Sequence, residues 1–154
     1  MLRTLLAGIA AAAALSGSAQ AVQVCAWMDE TLGEDDYHEL KLWLEATDGE
    51  ADVVYKIKGD GLVNENSRGN APNSGTLFLR RNAPNTPWTF GVTLEPPGRI
   101  DVIAELRVKP ADIFSEDETP LLAAFTFRRE IPEGETIPPK TFAAKQCATL
   151  GNPR

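Results

Sequence analysis

The sequence predicts an all-β chain, an antiparallel β-sandwich of about seven short strands closed by one disulfide. Three observations predict it. Apolar and polar residues alternate over most of the chain after Tyr37. Stretches rich in Gly, Pro, Asn and Asp separate the alternating runs. Two cysteines, Cys25 and Cys147, lie near opposite ends. A parallel sheet would instead show continuous apolar runs with helices between them.

Each run follows the same logic in turn. Val22 to Met28 reads as a first strand. In His38 to Glu45, Leu40, Leu42 and Leu44 point one way and Glu39, Lys41 and Glu45 the other. Asp52 to Lys58 repeats the pattern with Val53, Tyr55 and Ile57, and Gly59-Asp60-Gly61 is expected to break it. Asn64 to Gly75 is almost free of apolar residues and reads as a loop. Thr76 to Arg81, Trp88 to Leu94, Ile100 to Val108 and Leu121 to Arg129 supply four further strands, the third ended by Pro110. Single helical turns are expected in Glu30 to Tyr37 and in Asp112 to Glu118. The segment from about 130 to 154 reads as an extended tail that Cys147 pins onto the first strand. Short alternating strands with turns between them are the pattern of an immunoglobulin-like sandwich, in which each strand buries one face against the opposite sheet.

Residues 1–21 read as a secretory signal peptide. Arg3 gives a positive start, Leu5 to Leu15 a short apolar run, and Ser18-Ala19-Gln20-Ala21 a small-residue cleavage pattern. The expectation is a single periplasmic or secreted domain over 22–154, with no membrane insertion in the processed form. In that compartment an even cysteine pair reads as a disulfide, and Cys25 with Cys147 is the only intramolecular pairing. The 154-residue chain has a net charge of −7. An acidic surface repels phosphate backbones, so nucleic acid is not expected as a partner.

The residues offer little chemistry. The acidic cluster Asp29, Glu30, Glu34, Asp35, Asp36 and Glu39 is the calcium candidate, but it lacks the EF-hand order and reads as a solvated loop. His38 is the only histidine, which leaves no His-rich metal site, and it reads as a surface or rim residue. Ser67, Ser74 and Ser115 lack a nucleophile-elbow setting. The reading is therefore not an enzyme, with no catalytic residue, metal or cofactor. The candidate protein-contact residues are Trp43, on the polar side of its strand, and the basic residues Lys56, Lys58, Arg80 and Arg81. Basic side chains on strands, Arg128-Arg129 among them, also serve to guard sheet edges. Trp88, in phase with Phe90 and Val92, reads as core.

One stretch carries a family resemblance. Val54-Tyr55-Lys56-Ile57-Lys58 is followed by Asn64-Glu65-Asn66-Ser67-Arg68-Gly69 and by Gly75-Thr76-Leu77-Phe78. Then come Phe90-Gly91-Val92-Thr93-Leu94-Glu95-Pro96-Pro97-Gly98 and Ile100 to Leu106. In order and spacing, Asp52 to Val108 resembles the periplasmic curli-subunit chaperones of the CsgC/CsgH type. These are small immunoglobulin-like proteins that inhibit premature amyloid assembly. Cysteines flanking the domain fit the CsgH-like branch. The chain departs from the pattern at Asn73-Ser74-Gly75, where Gln-Gly-Gly is usual, in having no Cys-x-Cys, and in the segments 112–118 and beyond Glu130. The resemblance implies a non-enzymatic inhibitor of curli-like amyloid assembly, its partner an amyloid subunit. The alternative is a generic secreted binding or adhesion module of a cell-envelope assembly. A small hydrolase or hydrolase inhibitor is a third class, for which the sequence supplies no constellation.

Overall fold

The computed structural model describes residues 21–34, 37–64, 67–93, 97–112, 115, 117–133 and 143–151. The signal-peptide reading of 1–21 falls almost wholly outside them. Nine strands follow in chain order: β1 (Gln23–Leu32), β2 (Tyr37–Ala46), β3 (Ala51–Asn64), β4 (Ser67–Asn70), β5 (Asn73–Leu79), β6 (Asn85–Thr93), β7 (Gly98–Val108), β8 (Leu121–Ile131) and β9 (Ala143–Thr149).

They form two antiparallel sheets. The first runs β6-β2-β1-β9 and the second β4-β3-β7-β8, with β5 beside β4 on the same flank of β3. The chain crosses between sheets from β2 to β3, from β5 to β6, from β6 to β7 and from β8 to β9. That is the immunoglobulin-type Greek key, with β9 added beside β1.

The period-two pattern builds the core. Val24, Ala26 and Met28 of β1 and Leu40, Leu42, Leu44 and Ala46 of β2 face Val53, Ile57, Leu79, Ile100, Val102, Ala104, Leu106, Phe125 and Phe127 of the second sheet. Trp88 is buried with them, stacked on Phe90 at 5.6 Å between ring centroids. The predicted disulfide joins Cys25 and Cys147, directly paired across β1 and β9.

The structure corrects several local expectations. There are nine strands among the described residues, not about seven. β4 and the start of β5 occupy the stretch read as a loop, and β9 lies within the segment read as tail. Gly59-Asp60-Gly61 does not interrupt β3, whose ladder with β7 runs from Val53 to Leu62. A Cβ on Gly59 would sit 3.1 Å from Trp88 Cζ2, so this glycine makes room for the indole instead of turning the chain. No helical turn forms from Glu30 to Leu32, because β1 continues to Leu32 and Gly33 and Tyr37 exchange the hairpin contact Gly33 N–H to Tyr37 O. Between Asp112 and Glu118 residues 113, 114 and 116 lie outside the described residues, and Ser115 N–H donates to Asp112 O three residues before it.

Candidate functional site

β5 lies at the outer flank of the second sheet. It pairs with β3 from Ala51↔Leu79 to Ile57↔Asn73, and among the described residues no strand pairs with its other side. Leu77 and Leu79 turn inward, while Asn73, Ser74, Thr76 and Phe78 are exposed. Phe78 keeps 48% of its surface in solvent.

The four basic candidates bracket this strand. Lys56 and Lys58 project from the outer face of β3, beside the Asn73 end. Arg80 and Arg81 follow the Leu79 end, both exposed. Arg80 places its guanidinium 5.9 Å from the Phe78 ring centroid. Just beyond, Asn82 adopts φ 52°, a left-handed conformation that asparagine tolerates. Its N–H donates to Ala46 O, which turns the chain away and leaves both arginines at the corner. Lys56 pairs with Glu118 at 3.5 Å. Lys58, Arg80 and Arg81 have no carboxylate partner among the described residues. The guard reading needs one adjustment: Lys56 and Lys58 stand on a strand flanked on both sides, so they protect no edge of their own.

Trp43 is not part of this cluster. It lies on the outer face of the first sheet, directly opposite Trp27, with ring planes 10° apart and centroids at 6.1 Å. Lys145 caps Trp27 at 4.6 Å and pairs with Glu45 at 2.8 Å. The sequence reading named Trp43 but not its partner, although both lie in the solvent-facing phase of their strands.

Comparison with known proteins adds a resemblance of shape. No family model and no curated protein matches the chain. A solved structure described as the E. coli curli protein CsgC is similar. The TM-score is 0.49 at 12% identity, over 70% of this chain and 96% of that one.

The surface reading of His38 is overturned. Its side chain is fully buried, in phase with Leu40, Leu42 and Leu44. Nδ1–H donates to Glu30 Oε1 at 2.6 Å, with the carboxylate as acceptor. Arg129 approaches from β8, its Nε 3.3 Å from Glu30 Oε2, an ion pair without hydrogen-bond alignment. The acidic cluster is thereby divided. Glu30 points into the core and Asp29 lies on the opposite face, while Asp35 and Asp36 fall outside the described residues. Among the described residues no three His, Cys, Asp or Glu side chains gather as metal ligands. The Glu30–His38–Arg129 group ties three strands together, β1, β2 and β8, across the two sheets.

Proposed function

We propose that the chain is an exported, non-enzymatic chaperone that delays assembly of a curli-like amyloid subunit in the periplasm. The observation that carries this reading is the exposed β5 flank, bracketed by Lys56, Lys58, Arg80 and Arg81 on a chain of net charge −7. The resemblance of Asp52 to Val108 to the curli-subunit chaperones supports it, since that stretch includes β5 and all four basic residues. The disulfide fits an oxidising compartment. Contacts of this kind are weak and screened by salt, which suits a partner that has to be released.

Thioflavin fluorescence of a curlin-type subunit, with the protein added below stoichiometry, tests the proposal. A lag time that lengthens at low salt and shortens towards the control at high salt is expected. An unchanged lag at low salt rejects it. The Trp27–Trp43 pair on the opposite sheet favours the second reading, a binding module of an envelope assembly. Recovery of a stable stoichiometric partner from envelope fractions, lost in Trp43→Ala, would decide for that module.

A further inference from the structure

We propose that β5 is a strand-addition site, on whose free edge an extended, carboxylate-bearing segment of another polypeptide pairs as a further strand. This deepens the chaperone reading and rests on it for the natural partner, but the edge itself is a property of the fold.

Three features point to it. First, an unpaired edge strand exposes a row of backbone donors and acceptors, and proteins usually blunt such edges with charge or proline. Asn73–Leu79 contains neither. The other edges differ. β6 carries Pro87, and Tyr37 lies over its Gly91, where an added Cβ would collide with the phenol ring. β8 and β9 are tied to each other by Gln146 Nε2–H donating to Thr126 O at 2.8 Å.

Second, a hollow of about 360 Å³ lies at the Leu79 end of β5, bordered by Phe78, Arg80, Ala83 and Asn85. In strand addition the main-chain hydrogen bonds supply affinity and such a hollow supplies selectivity.

Third, charge selects the occupant. Antiparallel self-pairing of two β5 strands about a two-fold axis sets the Arg80-Arg81 end of one copy against the Lys56–Lys58 end of the other. Lys56 and Lys58 stand on β3, one strand behind the edge, so their repulsion of the arginines acts at longer range than a direct cross-strand pair. It still opposes that pairing. A segment with carboxylates near its ends meets a cation at both ends of β5.

Amide hydrogen exchange followed by NMR tests the inference. The probe is a capped peptide of about ten residues, alternating valine and threonine with glutamate at both ends. The β5 amides that face away from β3 are expected to slow by about tenfold or more, with β8 amides unchanged. N-methylation of the peptide along one edge should abolish protection, and along the other edge preserve it. Arg80→Glu/Arg81→Glu should weaken protection. Equal protection by both N-methylated peptides, or protection confined to β6 or β9, overturns the inference. So does β5 protection without peptide: if it grows with protein concentration the occupant is a second copy, and if it does not the occupant is a segment of this chain. Protection of β5 with an unchanged amyloid lag would leave strand addition standing and remove the chaperone reading. Unprotected β5 with a lengthened lag would do the reverse.

Discussion

The two margins of the sandwich are built differently. Where β8 meets β9, the sheets are locked. Gln146 bridges to Thr126, the disulfide fixes β9 to β1, and Arg129 reaches the buried Glu30–His38 pair across the sheets. Where β5 meets β6, the described ties lie at the two ends of β5, Asn73 Nδ2–H to Pro87 O and Trp88 Nε1–H to Ala71 O at one and Asn82 N–H to Ala46 O at the other. The rest of β5 has an unpaired flank among the described residues. A two-layer sandwich has to end its sheets somewhere. Here one end is closed by covalent and buried ionic links, and the other is left for pairing. Rigidity at the first margin holds the second in register without protecting it.

Breaking the locked margin should give the largest effects. The disulfide closes a loop with a sequence separation of 122. In the chain-entropy model that corresponds to about 5 kcal/mol of stability. Cys25→Ala/Cys147→Ala is expected to lower the urea midpoint accordingly and to expose β9 amides first. A loss below about 1 kcal/mol would show that strand pairing alone holds β9.

Glu30→Ala comes next, with an expected cost of about 3–5 kcal/mol, because His38 and Arg129 are left without their carboxylate at a buried site. Urea unfolding of the single variant, compared with one in which all three residues are apolar, separates two explanations. If the group acts as a lock through its charges, the apolar triple variant should recover most of the lost stability, since well-packed hydrophobic residues often replace a buried ion pair without loss. If the triple variant is as weak as Glu30→Ala, packing shape and not charge is what the site requires.

The contrast between margins also explains what could be read in advance. Period-two burial was legible because each core strand alternates cleanly, and the disulfide was legible from the expectation of export and parity of the cysteine count. The buried ionic group was written in the same code. His38 follows the phase of Leu40 to Leu44, Glu30 that of Ala26 and Met28, and Arg129 that of Phe125 and Phe127. Each sits near the end of an apolar phase, where a polar residue alone reads as rim. Only the pairing of strands far apart in sequence shows that the three meet. β4 and β9 were hidden because Ser67–Asn70 and Ala143–Thr149 have little apolar alternation, and their ladders come from neighbours already in place. Of the site, the sequence supplied the basic residues but not their arrangement. Lys56 and Lys58 join Arg80 and Arg81 around one strand only because β3 and β5 pair, while Trp43 lies on the other sheet.

The smallest effect on stability should be the most telling for function. Thr76 is exposed midway along β5, opposite Val54. Thr76→Lys puts a charge on the open edge, the device by which natural sheets refuse an added strand. Because the side chain faces solvent, its cost to folding is expected to stay within about 0.5 kcal/mol. It should nonetheless remove the peptide-induced protection of β5 and return the amyloid lag to the control value. Thr126→Lys is the matched variant on β8, also exposed and also on a flanking strand, but at the locked margin. It should leave both readouts unchanged. The pair isolates position from charge, since each variant adds one lysine to the same protein. If Thr126→Lys impairs the protein as much as Thr76→Lys, added positive charge anywhere disturbs the partner, and the open margin loses its special role. If neither variant changes the lag, the partner is met away from both edges, and the Trp27–Trp43 face becomes the surface to test.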